Sequence, residues 1–273
     1  MSDELVLVST VHGVRTLTMN HPRRLNGWTL EMMDALFAAM DAAAADDAVG
    51  ALVLTGTDPY YSAGVNLSST IKVTWPKELR ELIRAHNQSL FDRFIEYPKP
   101  ILIAANGPAI GATVTSATLC DAIIASENAT FSTPFAKLGV TPEGCSSVHF
   151  PRLIGAASAE RMLGPEGWVP TAAEALEIGF VDEVVPHDEL LERAQTVAEQ
   201  WVADGRERTF KAGATRDELL RINAEESATL ADAFLDTPFL MGQYRFLKSR
   251  KKTGPAITFF ALAVTRPLWR LML

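Results

Sequence analysis

The chain has 273 residues, 48% of them hydrophobic and 21% charged, with a formal net charge of −8. That is the make-up of an ordinary globular protein long enough to bury a large core. The acidic balance excludes a sequence-independent nucleic-acid binder, because such binding neutralises phosphates with Lys and Arg. Two cysteines, Cys120 and Cys145, are too few for a disulfide framework and lack metal-ligand spacing. They read as buried small hydrophobes in a reducing compartment.

The opening "MSDELVLVST" has no basic region leading into an apolar one, and the closing "LML" is no peroxisomal address. A cytoplasmic, bacterial setting is the expectation. "LVLVSTVHGVRTLTM" alternates β-formers about a His-Gly turn and predicts a hairpin. Asn26 and Thr29 then introduce "LEMMDALFAAMDAAAA", whose apolar residues recur at helical spacing. "GALVLTGT", "PILIAAN" and "DAIIAS" are short apolar runs that predict strands buried on both faces. Between them "KELRELIRAHNQSLFDRFIEY" predicts a helix stopping before Pro98, with its charges solvated and only Arg80 and Arg84 placed to reach a ligand entrance. The alternation points to an α/β layered architecture.

From about Asp188 the chain turns helical, and no strand pattern follows "FVDEVVP". Residues 1–200 are read as the core and 201–273 as a C-terminal helical region. The tail "GPAITFFALAVTRPLWRLML" is divided by Arg266, Pro267 and Arg270 into runs too short for a membrane span. A packing or subunit-interface role is expected there, and membrane contact is not.

Two turns rich in small residues follow strands: "YYSAGVNL" (residues 60–67) and "NGPAIGATVT" (residues 106–115). Each can point free backbone N–H groups into a crevice, and two such turns can hold an oxyanion. Neither matches a dinucleotide or P-loop fingerprint. His12, His21, His86, His149 and His187 lack metal spacing, and Ser146 and Ser147 follow Cys145 with no nucleophile elbow and no evident Ser-His-Asp partners. "TPEGCSS" places Glu143 among small and apolar residues. From the residues alone this acid reads as a helix-dipole partner for the helix starting near Cys145.

The order of "YYSAGVNL", "KPILIAANGPAIGA", "CDAIIASENATFSTPFAKLGVTPEG" and "PTAAEALEIGFVDEVVP" resembles the crotonase superfamily of enoyl-CoA hydratases and isomerases, over residues from about 12 to 252. The resemblance implies a spiral of ββα units with a C-terminal helical trimerisation region. It also implies an acyl-CoA thioester substrate, no cofactor beyond the coenzyme A of that substrate, no metal, and a homotrimer or dimer of trimers. The thioester oxygen would be held by the backbone N–H groups of Val65 and Ala112, beside Ala63, Gly64 and Gly111. Leu25, Gly27 and Ala63 would meet adenine and pantetheine. Phe246 and Lys248, with Arg250 and Lys251 as substitutes, would meet the adenosine phosphate, often from a neighbouring subunit. Part of residues 68–95 would form pocket wall.

The departures from the family pattern sharpen this. Asn66 stands where Asp is usual and shapes the turn. The two glutamates with which the hydratases activate water fall on Thr115 and Phe135, so no evident base remains for water. "PEG" resembles instead the Δ3,Δ2-enoyl-CoA isomerase branch, in which a single glutamate moves a proton from C2 to C4. Glu143 is then the catalytic residue, its pKa raised by neighbours such as Phe135, Leu138 and Val140. The expected function is fatty acyl-CoA isomerisation in β-oxidation. Another crotonase-type reaction, including hydration, and a non-catalytic acyl-CoA-binding protein are the alternatives.

Overall fold

The computed structural model describes residues 4–65 and 74–273. Asn66 and the stretch 68–73 of the expected pocket wall lie outside them. The hairpin forms as read: β1 (Val6–Val11) and β2 (Val14–Met19) pair antiparallel. His12 and Gly13 at its tip both take positive φ, as a two-residue hairpin turn requires. Beside β2 run β3 (Ala51–Gly56), β4 (Ile101–Ala105), β6 (Ala122–Ser126) and β8 (Glu183–Val185), all parallel, in the order β1-β2-β3-β4-β6-β8.

The continuous apolar runs are explained by cover on both faces. On one face Val14, Ala51, Val53, Leu102, Ala104 and Ile124 pack against Leu190, Ala194, Ala198 and Trp201 of helix α8 (Leu190–Ala203). On the other, Leu52, Leu54, Ile101, Ile103 and Ile123 face the main core, which includes Met32, Met33, Leu36 and Met40 of α1 (Leu30–Ala45). Thr29 caps α1 through its side chain, which accepts from Met32 N. Asn26, expected to help start this helix, does something else: it donates to the Thr57 and Tyr60 carbonyls at 2.6 and 2.7 Å and so ties down the loop after β3.

β4 and β6 are each followed by a short strand and then a helix, and β3 by an isolated bridge in the place of the short strand. After β3, Ser62 bridges to Ala109 and the chain continues to α2 (Pro76–Glu96). β4 leads to β5 (Ala109–Ile110) and α3 (Ala112–Thr118). β6 leads to β7 (Phe131–Ser132), α4 (Phe135–Leu138), α5 (Ser146–Ile154), α6 (Ala156–Leu163) and α7 (Ala172–Glu177). β5 and β7 pair as a second, two-stranded sheet. This repeat of strand, short strand and helix is the expected ββα arrangement, and it stacks the turns that follow β3 and β4 beside each other.

The C-terminal part is helical, with α9 (Arg216–Phe234), α10 (Thr237–Ser249) and α11 (Thr253–Trp269). Asp121 anchors the connection to α9. Its carboxylate pairs with Arg208 in the interior and accepts from Ile101 N at 2.8 Å and Thr209 N at 2.7 Å. α9 lies along α2, and α10 pairs with α11. The inner side of α11 packs Ala263, Phe259 and Leu262 against Phe234, Phe239 and Leu240, while Ile257, Phe260, Val264 and Leu268 remain exposed. Among the described residues no helix is long and apolar enough to cross a membrane.

Candidate active site

The two small-residue turns meet. Ile110 N donates to Ser62 O at 3.0 Å and Ser62 N to Pro108 O at 3.3 Å. Ala63 N is taken by Leu25 O, and Trp28 N donates to Gly64 O, both at 2.8 Å. Gly64 has φ +79°, and a Cβ there would lie 2.3 Å from Ile110 O, so only glycine permits this approach. Among the described residues no acceptor meets the amides of Val65 and Ala112. Both residues line one cavity of about 370 Å³, together with Ala63, Gly64 and Gly111. Two unengaged N–H groups at one cavity wall can hold a partly negative oxygen.

The rest of the cavity is apolar, walled by Leu79, Ile83 and Leu90 of α2, Phe135, Leu138 and Val140, and Leu230 and Phe234 of α9. Glu143 faces this space. Its backbone carbonyl accepts from Ser146 Oγ at 2.7 Å. Gly144 follows at φ +64°, where a Cβ would collide with Phe91 at 2.5 Å and Thr115 Oγ at 2.8 Å. Among the described residues the carboxylate receives one side-chain hydrogen bond, from Asn87 Nδ2 to Oε2 at 2.6 Å. Burial raises its pKa to about 7 against the opposing Asn87 bond, and the nearby charge of Glu226 adds to the rise. An acid poised there gains and loses a proton readily near neutrality.

The reading of Glu143 as partner of the following helix is corrected by the structure, since its side chain turns to Asn87. The first turn of α5 is capped by Glu226, which accepts from Cys145 N at 2.7 Å and Ser147 N at 2.8 Å. Thr115 and Phe135 are both buried, the hydroxyl of the first donating to Ala112 O at 3.2 Å. Leu25 and Gly27 sit behind the first turn, and neither is among the residues lining the cavity. Phe246 and Lys248 lie on the outer side of α10, where Lys248 Nζ reaches Tyr244 OH at 3.2 Å, and neither lines the cavity of its own chain. Arg80 is spent on Asp232 at 2.6 Å, and Arg84 on Glu81 at 2.9 Å, so neither guards the entrance. His86, read as a surface or packed residue, lines the cavity, and burial lowers its pKa.

Asn87 is the residue that sequence reasoning missed. It lies in the apolar stripe Leu79, Ile83, Asn87, Leu90, Phe94 of α2, and a polar side chain at such a position was the available signal. Its Oδ1 accepts from Ser227 Oγ at 2.8 Å, which turns its amide N–H group toward Glu143. Asn87→Ala removes a donor that favours the ionised carboxylate. The Glu143 carboxyl is expected to titrate at a higher pH than in the wild type, read from its C=O band in infrared difference titration.

Other chemistries fare poorly. Asp58, His187 and Ser126 do line up, at 3.0 Å between Asp58 Oδ2 and Nε2 and 3.0 Å between Nδ1 and Ser126 Oγ. The separation of these residues in the chain hid that alignment. Ser126 is fully buried and its hydroxyl is engaged by Asn128 N, so no substrate reaches it. Burial pushes the thiols of Cys120 and Cys145 well up, which makes both poor nucleophiles. Among the described residues no cluster of three metal-ligating side chains occurs.

The protein-family model described as "Enoyl-CoA hydratase/isomerase" matches residues 9–253. Human "Enoyl-CoA delta isomerase 2" is 34% identical over 259 residues, covering 91% of this chain, and the chain spans only 64% of that relative's length. The "2,3-dehydroadipyl-CoA hydratase" of Escherichia coli (strain K12) is 32% identical over 71% of this chain and 74% of its own. Among solved structures, an enoyl-CoA hydratase/isomerase from Pseudoalteromonas atlantica T6c superposes with a TM-score of 0.77 at 27% identity, over 90% of this chain and 97% of that one. The stacked ββα repeats, the paired turns and a family match running through nearly all of them have one explanation: the chain belongs to the enoyl-CoA hydratase/isomerase, or crotonase, family.

Proposed function

We propose that the protein is a Δ3,Δ2-enoyl-CoA isomerase, which moves a double bond of an unsaturated fatty acyl-CoA from C3 to C2. The observation that carries this reading is Glu143, the one carboxylate among the described residues lining an apolar cavity that also offers the Val65 and Ala112 amides. With the thioester oxygen on those two donors, C2 lies toward the carboxylate. Ionised Glu143 takes a proton from C2, and the electron pair passes to the thioester oxygen as an enolate. The two N–H groups stabilise that charge most where it is greatest, each contributing roughly 3 to 4 kcal/mol by analogy with other oxyanion sites. The same carboxyl then returns the proton at C4, so atoms and charge balance without water or cofactor. With Thr115 and Phe135 at the positions of the two hydratase glutamates, no second acid lines the cavity among the described residues. The adenosine phosphate would be met by Phe246 and Lys248 of a neighbouring copy in a homotrimer.

The test incubates the protein with trans-3-hexenoyl-CoA and, separately, trans-2-hexenoyl-CoA, following the absorbance of the conjugated thioester. Conjugation should grow with the first and persist with the second. Its loss with the second would mean hydration, and silence with both, alongside tight acyl-CoA binding, a non-catalytic protein. Because the base must be ionised, kcat/KM should rise with pH through about 7 and level off above it. A limb nearer the ordinary carboxylate value would remove the argument from burial.

A further inference from the structure

Glu226 is a buried acid that the proposed chemistry does not use. It lies on α9, about eighty positions along the chain from the segment it holds. Its Oε2 accepts from Cys145 N at 2.7 Å, and its Oε1 from Ser147 N at 2.8 Å and from Ser147 Oγ. Cys145, which opens α5, has φ +66° and gives the helix no side-chain cap of its own. The next residue of α9, Ser227, fixes Asn87, which donates to Glu143. One turn of α9 therefore reaches Glu143 twice, through the amide that bonds its side chain and through the backbone that follows it.

We propose that Glu226 is a positioning residue for Glu143: as an ionised carboxylate it clamps the first turn of α5 and so holds the Glu143–Gly144 segment against the cavity. This rests on Glu143 being the proton shuttle. Both carboxylate oxygens face N–H donors, so a glutamine cannot replace the acid without turning its own NH₂ against one of them. An ordinary helix cap would come from a local Ser, Thr, Asp or Asn. Here it comes from another helix and is charged. Negative charge on Glu226 disfavours ionisation of Glu143, and burial in turn raises the pKa of Glu226 itself against its bonds from Ser147 and Cys145. The other groups in reach do not replace that influence: His86 of α2 is the only other titratable side chain lining the cavity among the described residues. Asp92 of α2 and Glu218 of α9 act on Cys145, and Glu218 is paired with Arg152 at 2.8 Å.

The experiment compares wild type, Glu226→Gln, Ser147→Ala and Glu143→Gln with trans-3-hexenoyl-CoA across neutral pH, each first shown to be folded by circular dichroism. Glu226→Gln is expected to lower kcat about 10- to 100-fold, the scale of a misplaced catalytic group, with KM little changed and the acidic limb moved to lower pH. Ser147→Ala keeps the charge and loses one donor, so kcat should fall several-fold with the limb no lower than in the wild type. A Glu226→Gln protein that folds and retains wild-type kcat and limb overturns the proposal. If that variant does not fold, Ser147→Ala decides, and wild-type kcat there overturns it. Activity surviving in Glu143→Gln would sink the shuttle reading and this proposal with it. Loss in Glu143→Gln beside normal Glu226 and Ser147 variants would sink the positioning role alone.

Discussion

Glu143→Gln leaves a folded protein that binds acyl-CoA and turns over roughly 10²- to 10⁴-fold more slowly, the usual worth of a positioned base. Glutamine keeps the shape and can still accept from Asn87 Nδ2, which reaches Oε2 at 2.6 Å in the wild type. What disappears is the ability to take a proton from C2. Stability should move the other way. The folded-state pKa of about 7 lies above the ordinary carboxylate value of 4.5, so between those values the folded state holds more protons than the unfolded one. Wild-type stability therefore falls as pH rises through that window, whereas the glutamine variant is spared this loss. At a pH above 7 the variant should melt no lower than wild type and gain on it relative to acid pH. Thermal melts at two pH values and a ligand titration check both halves. A variant that binds and isomerises normally would exclude Glu143 as the base.

Gly64→Ala is expected to be equally damaging for a different reason. The position combines φ +79° with a Cβ placed 2.3 Å from Ile110 O, so either the first turn or β5 must shift. Val65 follows directly, and Ala112 stands two residues beyond Ile110, so movement of either wall spoils the spacing of the two donors. If the variant folds, kcat/KM should drop about 10²-fold or more, with a stability loss of roughly 2 kcal/mol or more from strain and overpacking. Gly111→Ala is the comparison. It has φ +64° but no atom within 4 Å of an added Cβ, so it bears the backbone strain without the collision and should be milder on both counts. Urea denaturation and steady-state kinetics on the pair separate the two effects. Equal damage would mean that close packing is not what makes glycine necessary at Gly64.

Much of this architecture was legible because it rests on local rules. Apolar runs such as "PILIAAN" were strands buried on both faces, with Ile103 facing one cluster and Leu102 the other. The His-Gly turn, the Thr29 cap and the break before Pro98 are likewise backbone preferences of neighbouring residues. The two small-residue turns were legible from their places after strands, whereas the reading of Glu143 as a catalytic acid came from the resemblance to the family. Asn87 and Glu226 were not legible: each is a polar side chain inside a long helix, and periodicity alone does not say what an inward polar group will meet. Asn26 was misread because its conformation, at φ +51°, serves a distant loop rather than the adjacent helix.

By itself, then, the sequence determined the element order, the layered α/β class, the glycine turns and the lone acid in a small-residue loop, because helix, strand and turn preferences act over a few residues. Tertiary structure alone decided that the turns after β3 and β4 press together around Gly64, and that α2 and α9 close an apolar cavity over Glu143. It also decided that Asn87 and Glu226 converge on that acid from elements far apart in the chain. Those outcomes set the burial that moves the Glu143 pKa, and burial is a property of the packed whole that no short stretch of residues carries.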